Sequence, residues 1–216
     1  ARLGLTGIPE TAETIALASA LLLVEQTGVR AHFGQLSCAG SVTLMRLAKD
    51  KGLSVTADVA MHQLHLTDAA IDGFNAMAHV RPPLRSEADR VALIAGVREG
   101  VIDAICSDHQ PLNAAAKLAP FAEALPGMST LETVLPLGLK LVADGELSAR
   151  RLIEALTSAP ARLLQKPIGA LGEAASGVLL IDPAQIWQAT GDDWLSAGRN
   201  TVFAGQTMVG RVKAGY

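Results

Sequence analysis

Few residues in this chain are placed to do chemistry. Asp108-His109 follows directly on the apolar run 101–107. A carboxylate at such a point can bind a metal, take a proton from an attacking water, or accept hydrogen bonds from backbone and arginine. Gln35 closes a second apolar run that also carries His32; His62 and His65 lie three residues apart; His79 stands near Arg81-Pro82-Pro83-Leu84-Arg85. Histidine spacing of this kind is commonplace and defines no ligand set by itself. His32, out of phase with Gln35, reads as a hydrogen-bonded core residue. His109 reads as a packing or hydrogen-bonding neighbour of Asp108. Cys38 and Cys106 have no close spacing, so they make neither a zinc knuckle nor a disulfide framework and read as small buried apolar residues in a reducing cytoplasm.

The elements that must position these residues alternate. A helix is predicted over residues 11–27 with Thr11 as its cap and Gly28 as its end, a buried strand over 29–36, and a helix over 41–51 closed by Gly52. A β-branched strand follows over 53–59, then a helix over 67–77 opened by Thr67 and Asp68. Two adjacent prolines force 81–85 to be an extended loop. Ser86 then caps a helix over 87–99, and a third strand over 101–107 delivers Asp108 to its C-terminal end. Residues 110–128 carry three prolines and little periodicity, which predicts a loop over the same rim. Helices are expected over 131–144, 149–156 and 160–165, and short strands over 177–181 and 207–212. Strand–helix alternation followed by a β-rich tail gives an α/β fold: the last strands and helices of a TIM-type barrel over residues 1–166, and part of a small β-sandwich over 167–216. Three barrel strands fall short of the roughly eight that closure needs, so further strands are expected upstream or in another chain. The absence of an initiator methionine at Ala1 adds to the expectation of a longer polypeptide.

Bulk composition excludes several function classes. The 216 residues are 50% apolar with a formal net charge of -3, the profile of a folded domain with a core large enough to need no staples. Basic residues form no stripe, which argues against nucleic acid as a partner. The longest apolar stretch, residues 15–24, is too short to span a bilayer, so a cytoplasmic protein is expected.

A run of motifs resembles the dihydroorotase family of the amidohydrolase superfamily. Gly7-Ile8-Pro9 with Glu13 resembles G-I-P-x-x-A-E, residues 32–37 sit where the family has H-x-x-H-L-S, and residues 58–64 resemble E-V-T-P-H-H-L. Residues 81–85 resemble N-P-P-L-R, and Ser107-Asp108-His109-Gln110-Pro111-Leu112 resembles T-D-H-A-P-H. Lys117, Pro120-Phe121, Leu131-Glu132-Thr133, Pro160-Ala161-Arg162 and Gly198-Arg199-Asn200-Thr201 continue the match in order along nearly the whole chain.

The resemblance implies reversible closure of N-carbamoyl-aspartate to dihydroorotate, with zinc held at strand ends. It also implies which residues to inspect. The sixth-strand histidine ligand is Gln35 here, a poor zinc donor, while the eighth-strand aspartate survives as Asp108, either as a vestigial carboxylate or as a general base. At substrate-contacting positions Arg81 replaces asparagine, Leu112 replaces a histidine and Thr130 replaces a glycine. The resemblance then supports an inactive homologue without zinc, acting as the structural partner of aspartate transcarbamoylase in a hetero- or homo-oligomer. The open alternative is an active enzyme with a reduced zinc site that draws on upstream ligands. His62 and His65 offer a conceivable substitute metal site, and a small metabolite gripped by Arg81 is a third reading.

Overall fold

The computed structural model describes residues 3–167, 177–190 and 194–215. Its first part is a three-stranded parallel sheet in the order β1-β2-β3, formed by β1 (Ala31–Phe33), β2 (Val55–Ala60) and β3 (Ala104–Cys106). Ala31 pairs with Val55 and Phe33 with Ala57, while Asp58 pairs with Ala104 and Ala60 with Cys106. Parallel neighbours need crossovers, and helices provide them: α1 (Glu10–Thr27) leads into β1, α2 (Ala39–Asp50) joins β1 to β2, and α3 (Glu87–Arg98) precedes β3. After β3 come α4 (Val134–Ala143), α5 (Ala149–Leu156) and α6 (Ser158–Leu163). The tail pairs β4 (Leu179–Gln188) with β5 (Thr207–Gly215) as an antiparallel ribbon.

Alternation along β2 explains how the sheet serves two purposes. Val55, Ala57 and Val59 are buried in one core with Met45 of α2, Ile94 of α3 and Leu152 of α5. Each such side chain contributes about 1.5–3 kcal/mol by leaving water. Thr56 and Asp58, between them, point to the opposite face. That face is partly open: the His32 side chain beside Asp58 retains 35% of its exposure.

Several sequence expectations are corrected in detail. The first strand ends at Phe33 rather than residue 36, because Gln35 takes a left-handed conformation with φ 58°. His32 is consequently hydrogen-bonded, as expected, but exposed rather than buried in the core. The helix expected over 67–77 is broken into 3₁₀ turns Asp68–Phe74 and Ala76–Ala78, and the first of these is itself kinked where Asp72 is extended and Gly73 has φ 69°. Thr67 and Asn75 each accept a backbone hydrogen at these turns, so short polar side chains compete with a continuous helix. Helix α1 starts after Pro9 and not after Thr11, with Glu10 and Glu13 in its first turn. Strand β4 runs past residue 181 to Gln188, through a register shift around Pro183. The domain boundary expected near Lys166 adjoins residues 168–176, which lie outside the described residues. Ser86 makes the expected cap, in a reciprocal pair with Asp89, and Gly28, Gly52 and Gly100 follow their helices with positive φ. Among the described residues no helix is long and apolar enough to cross a membrane.

Half-buried Glu13 and buried Lys117 and Asn200 tie the long loops to this frame. Glu13 accepts hydrogen bonds from Ser37 N at 2.9 Å, from Ser41 Oγ at 2.6 Å and from the Ser37 hydroxyl, and Arg85 joins it by donating to that hydroxyl and to Ile8 O. Lys117 donates to Ala76 O, His79 O and Leu125 O at 2.8–3.3 Å, clamping the loop 110–128 against the turn before Arg81. Burial pulls its pKa down to about 8, while three carbonyl oxygens favour the charged form. Asn200, from the tail, bridges Gln110 O, Gly127 O and Leu112 N at 2.8–3.1 Å.

Two core histidines give the fold a pH dependence. His62 is fully buried with neither ring nitrogen partnered, and His65 bonds Leu137 O at 3.0 Å. Burial lowers each pKa from 6.5 to about 4. As pH falls through this window the unfolded chain takes up protons that the folded chain refuses, so stability is lost between 6.5 and about 4. Denaturant titrations should show stability falling by up to about 1.4 kcal/mol per pH unit for each histidine. The H62Q/H65Q double variant should flatten that slope, and an unchanged slope would remove the histidines as its source. Lys117→Met should cost about 1–3 kcal/mol and speed amide exchange in residues 110–128, because it leaves Leu125 O without its donor and takes one of two hydrogens from Ala76 O and His79 O. Lys140→Ala, which breaks an exposed pair with Asp144, should cost less than about 1 kcal/mol.

Candidate functional site

The ends of the three parallel strands bring the chemistry-bearing residues together. Asp108 follows β3 with φ 45°, and Gln35 follows β1 with φ 58°, so both rim residues occupy left-handed backbone conformations that non-glycine residues rarely adopt. The two meet: Gln35 Nε2 donates to Asp108 Oδ1 at 2.6 Å. Gln110 Nε2 donates to the same oxygen at 2.7 Å. A carboxylate offers only acceptors, so each amide must turn its NH2 toward Asp108. Gly127, at φ 132°, makes room for Gln110, since a Cβ there would lie 2.8 Å from Gln110 Oε1.

Asp58 anchors the other half of the cluster. Its Oδ1 accepts from Gln35 N at 2.7 Å and from the Cys106 thiol at 3.4 Å, and its Oδ2 accepts from His32 Nε2 at 2.9 Å. The other nitrogen of His32 bonds Thr56 Oγ1 at 2.9 Å. Asp58 thereby fixes both the main chain of Gln35 and the ring of His32. Burial raises the Asp108 pKa above the ordinary carboxylate value, the Gln110 and Gln35 amides oppose the shift, and the nearby Asp58 charge adds to it. Burial, assisted by Asp58, holds the Cys106 thiol in its protonated form.

The remaining rim positions are structural. His109 Nδ1 accepts from Thr130 N and Leu131 N, both at 3.1 Å, and its Nε2 meets Ser196 Oγ at 3.1 Å. An imidazole accepting at Nδ1 carries its proton on Nε2, so the ring stitches β3 to the tail. Thr130 is buried and its hydroxyl donates to Ser107 O at 2.6 Å, filling the space next to Asp108. Leu112 engages by its backbone N–H, to Asn200 Oδ1 at 2.8 Å. Gln63 Nε2 holds the Arg81 loop through Pro82 O at 3.0 Å.

Of the residues singled out in the sequence, Gln35 and Asp108 are in contact, and Thr130 and Leu112 lie on segments bonded to the same rim. Arg81 does not join them. It lines a separate cavity with residues of the N-terminal segment. Two members of the cluster, Asp58 and Gln110, were not foreseen as site residues. Alternation along β2 could have placed Asp58 on the face of Thr56, and Gln110 stands only two residues beyond Asp108. Among the described residues no three His, Cys, Asp or Glu side chains are grouped to hold a metal ion.

No family model matches the chain. A dihydroorotase-like protein of Pseudomonas aeruginosa is 52% identical over 213 residues, which is 98% of this chain and 50% of that protein. A dihydroorotase of Syntrophus aciditrophicus is 41% identical over 97% of this chain and 50% of its own length. Among solved structures, L-hydantoinase (dihydropyrimidinase) from Arthrobacter aurescens superposes with a TM-score of 0.87 at 26% identity, over 94% of this chain and 47% of that one. The inactive dihydroorotase-like domain of a Chaetomium thermophilum CAD-like multifunctional protein gives 0.67 at 25% identity, over 91% and 52%. The chain spans about half the length of the curated relatives it matches. Similarity that runs along 98% of the chain at 52% identity, together with a fold that superposes on an L-hydantoinase with a TM-score of 0.87, places this chain with the dihydroorotase-like proteins of the amidohydrolase superfamily.

Proposed function

We propose that the protein is a dihydroorotase-like member of pyrimidine biosynthesis without a catalytic centre of its own, retained as a structural partner of aspartate transcarbamoylase in the cytoplasm. One observation carries the reading: Asp108 Oδ1 already accepts two side-chain amides. Zinc needs lone pairs directed at it, preferably from imidazole, and Gln35 instead directs N–H at Asp108, the carboxylate that stands where the family's metal-binding aspartate does. The donor set does not fit zinc, so no step is routed through a metal. Filled space at Thr130 and an apolar side chain at Leu112 support the same reading, because a site built around substrate hydrogen bonds loses rate and selectivity when those partners go. The inactive dihydroorotase-like domain of the Chaetomium thermophilum protein offers a precedent in a relative. A structural role leaves the framework bonds of Glu13, Lys117 and Asn200 under selection while the rim is free to change.

A second reading has one observation in its favour. Burial raises the Asp108 pKa, as a proton acceptor working near neutral pH requires. Asp108 would then serve as general base in a cyclic-amide hydrolase whose other groups come from the remaining half of the protein.

Co-expression of the full-length protein with aspartate transcarbamoylase should yield one large hetero-oligomer on size exclusion, with no dihydroorotate turnover and substoichiometric zinc. Separate elution at micromolar concentration would contradict the partnership. Stoichiometric zinc with turnover abolished by Asp108→Asn would establish the hydrolase instead.

A further inference from the structure

Apart from the rim cluster, an open cavity of about 460 Å³ lies between the N-terminal segment, the Arg81 loop and the Phe121 turn. That volume lies within the usual range for small-molecule sites. None of Gln35, Asp58 and Asp108 lines it. Its walls mix polar and apolar surface, and Leu5, Ile8, Ile71, Leu84 and Phe121 supply the apolar part. The polar groups that reach it differ in how far they are committed. Arg85 is spent on Ser37, Glu13 and Ile8 O. Arg81 is exposed, and no carboxylate among the described residues lies within ion-pair distance of it. His79 stacks on Phe121 with ring centroids 4.7 Å apart, and its Nδ1 is buried without a partner. Burial first, and then the charges of Lys117 and Arg81, lower the pKa of that ring. Asp68 also lines the cavity and sets a limit, since a second anionic group on a ligand would meet its charge.

We infer that this cavity is a binding site for a small organic monoacid, with the carboxylate on the Arg81 guanidinium and the apolar body against Phe121, Ile71 and Leu84. A planar guanidinium with no internal partner pairs with a carboxylate through two parallel N–H bonds, which a lysine or a neutral side chain would not reproduce. A ligand here makes no contact with Asp108, so the site binds without reacting. It stands whether the rim is inert or hydrolytic.

Phenylacetate and its neutral isostere phenylacetamide test this by calorimetry or ligand-observed NMR on the purified protein. Phenylacetate should bind with a Kd of about 1 mM or tighter, and phenylacetamide about tenfold or more weakly than that. Arg81→Gln should weaken phenylacetate about tenfold at an unchanged melting temperature, Arg81→Lys should retain part of the affinity, and Asp108→Asn should leave Kd unmoved. Absence of saturable binding, equal affinity for acid and amide, indifference to Arg81→Gln, or a matching loss in Asp108→Asn would each overturn the assignment.

Discussion

A carboxylate at the end of a buried parallel strand must receive hydrogens or a cation from somewhere, because leaving it bare in a half-desolvated rim costs several kcal/mol. In this chain Asp108 receives hydrogens, from the side-chain amides of Gln35 and Gln110. The rest of the rim is arranged around that choice. Asp58 holds the Gln35 main chain in its left-handed turn, Gly127 yields space to Gln110, and Thr130 closes the gap beside Ser107. A strained backbone at Gln35 and Asp108 persists because these bonds over-determine it. Such a rim presents N–H groups where a metal centre would present lone pairs.

The motifs shared with the family divide by what they touch. Glu13, Ser37 and Arg85 converge on one buried network that fixes the entry to α1 and the loop after β1. Lys117 binds Leu125 O and Asn200 binds Gln110 O and Gly127 O, carbonyls of the loop 110–128. These positions keep the family's residue types, and each holds backbone polar groups that would otherwise be orphaned. Of the positions that depart from the family pattern, Gln35, Leu112 and Arg81 have side chains outside this framework, while the Thr130 hydroxyl donates to Ser107 O. Loss of chemistry without loss of fold is what that division permits.

Elements whose limits are set by local chemistry were legible in the sequence. Ser86 with Asp89, the glycines after α1, α2 and α3, and the alternation of β2 all read directly, as did the delivery of Asp108 to the end of β3. What could not be read depended on partners distant in the chain. The break at Gly73 arises from competing side-chain caps at Thr67 and Asn75, and the exposure of His32 depends on what covers the open face of the sheet. Gln35 was legible as a departure from a histidine, but its bond to Asp108 spans 73 positions and appears only in three dimensions. The separation of Arg81 from the rim was invisible for the same reason: motif order along the chain carries no information about which cavity a side chain enters.

The account stands on the occupancy of one oxygen, Asp108 Oδ1. Crystals of the full-length protein soaked in zinc, with anomalous diffraction recorded at the zinc edge, examine it directly. The expected result is no anomalous density at the rim, with both amide nitrogens of Gln35 and Gln110 still within hydrogen-bond distance of Asp108. An ordered zinc contacted by Asp108, with the Gln35 amide displaced or turned to present its oxygen, would contradict it.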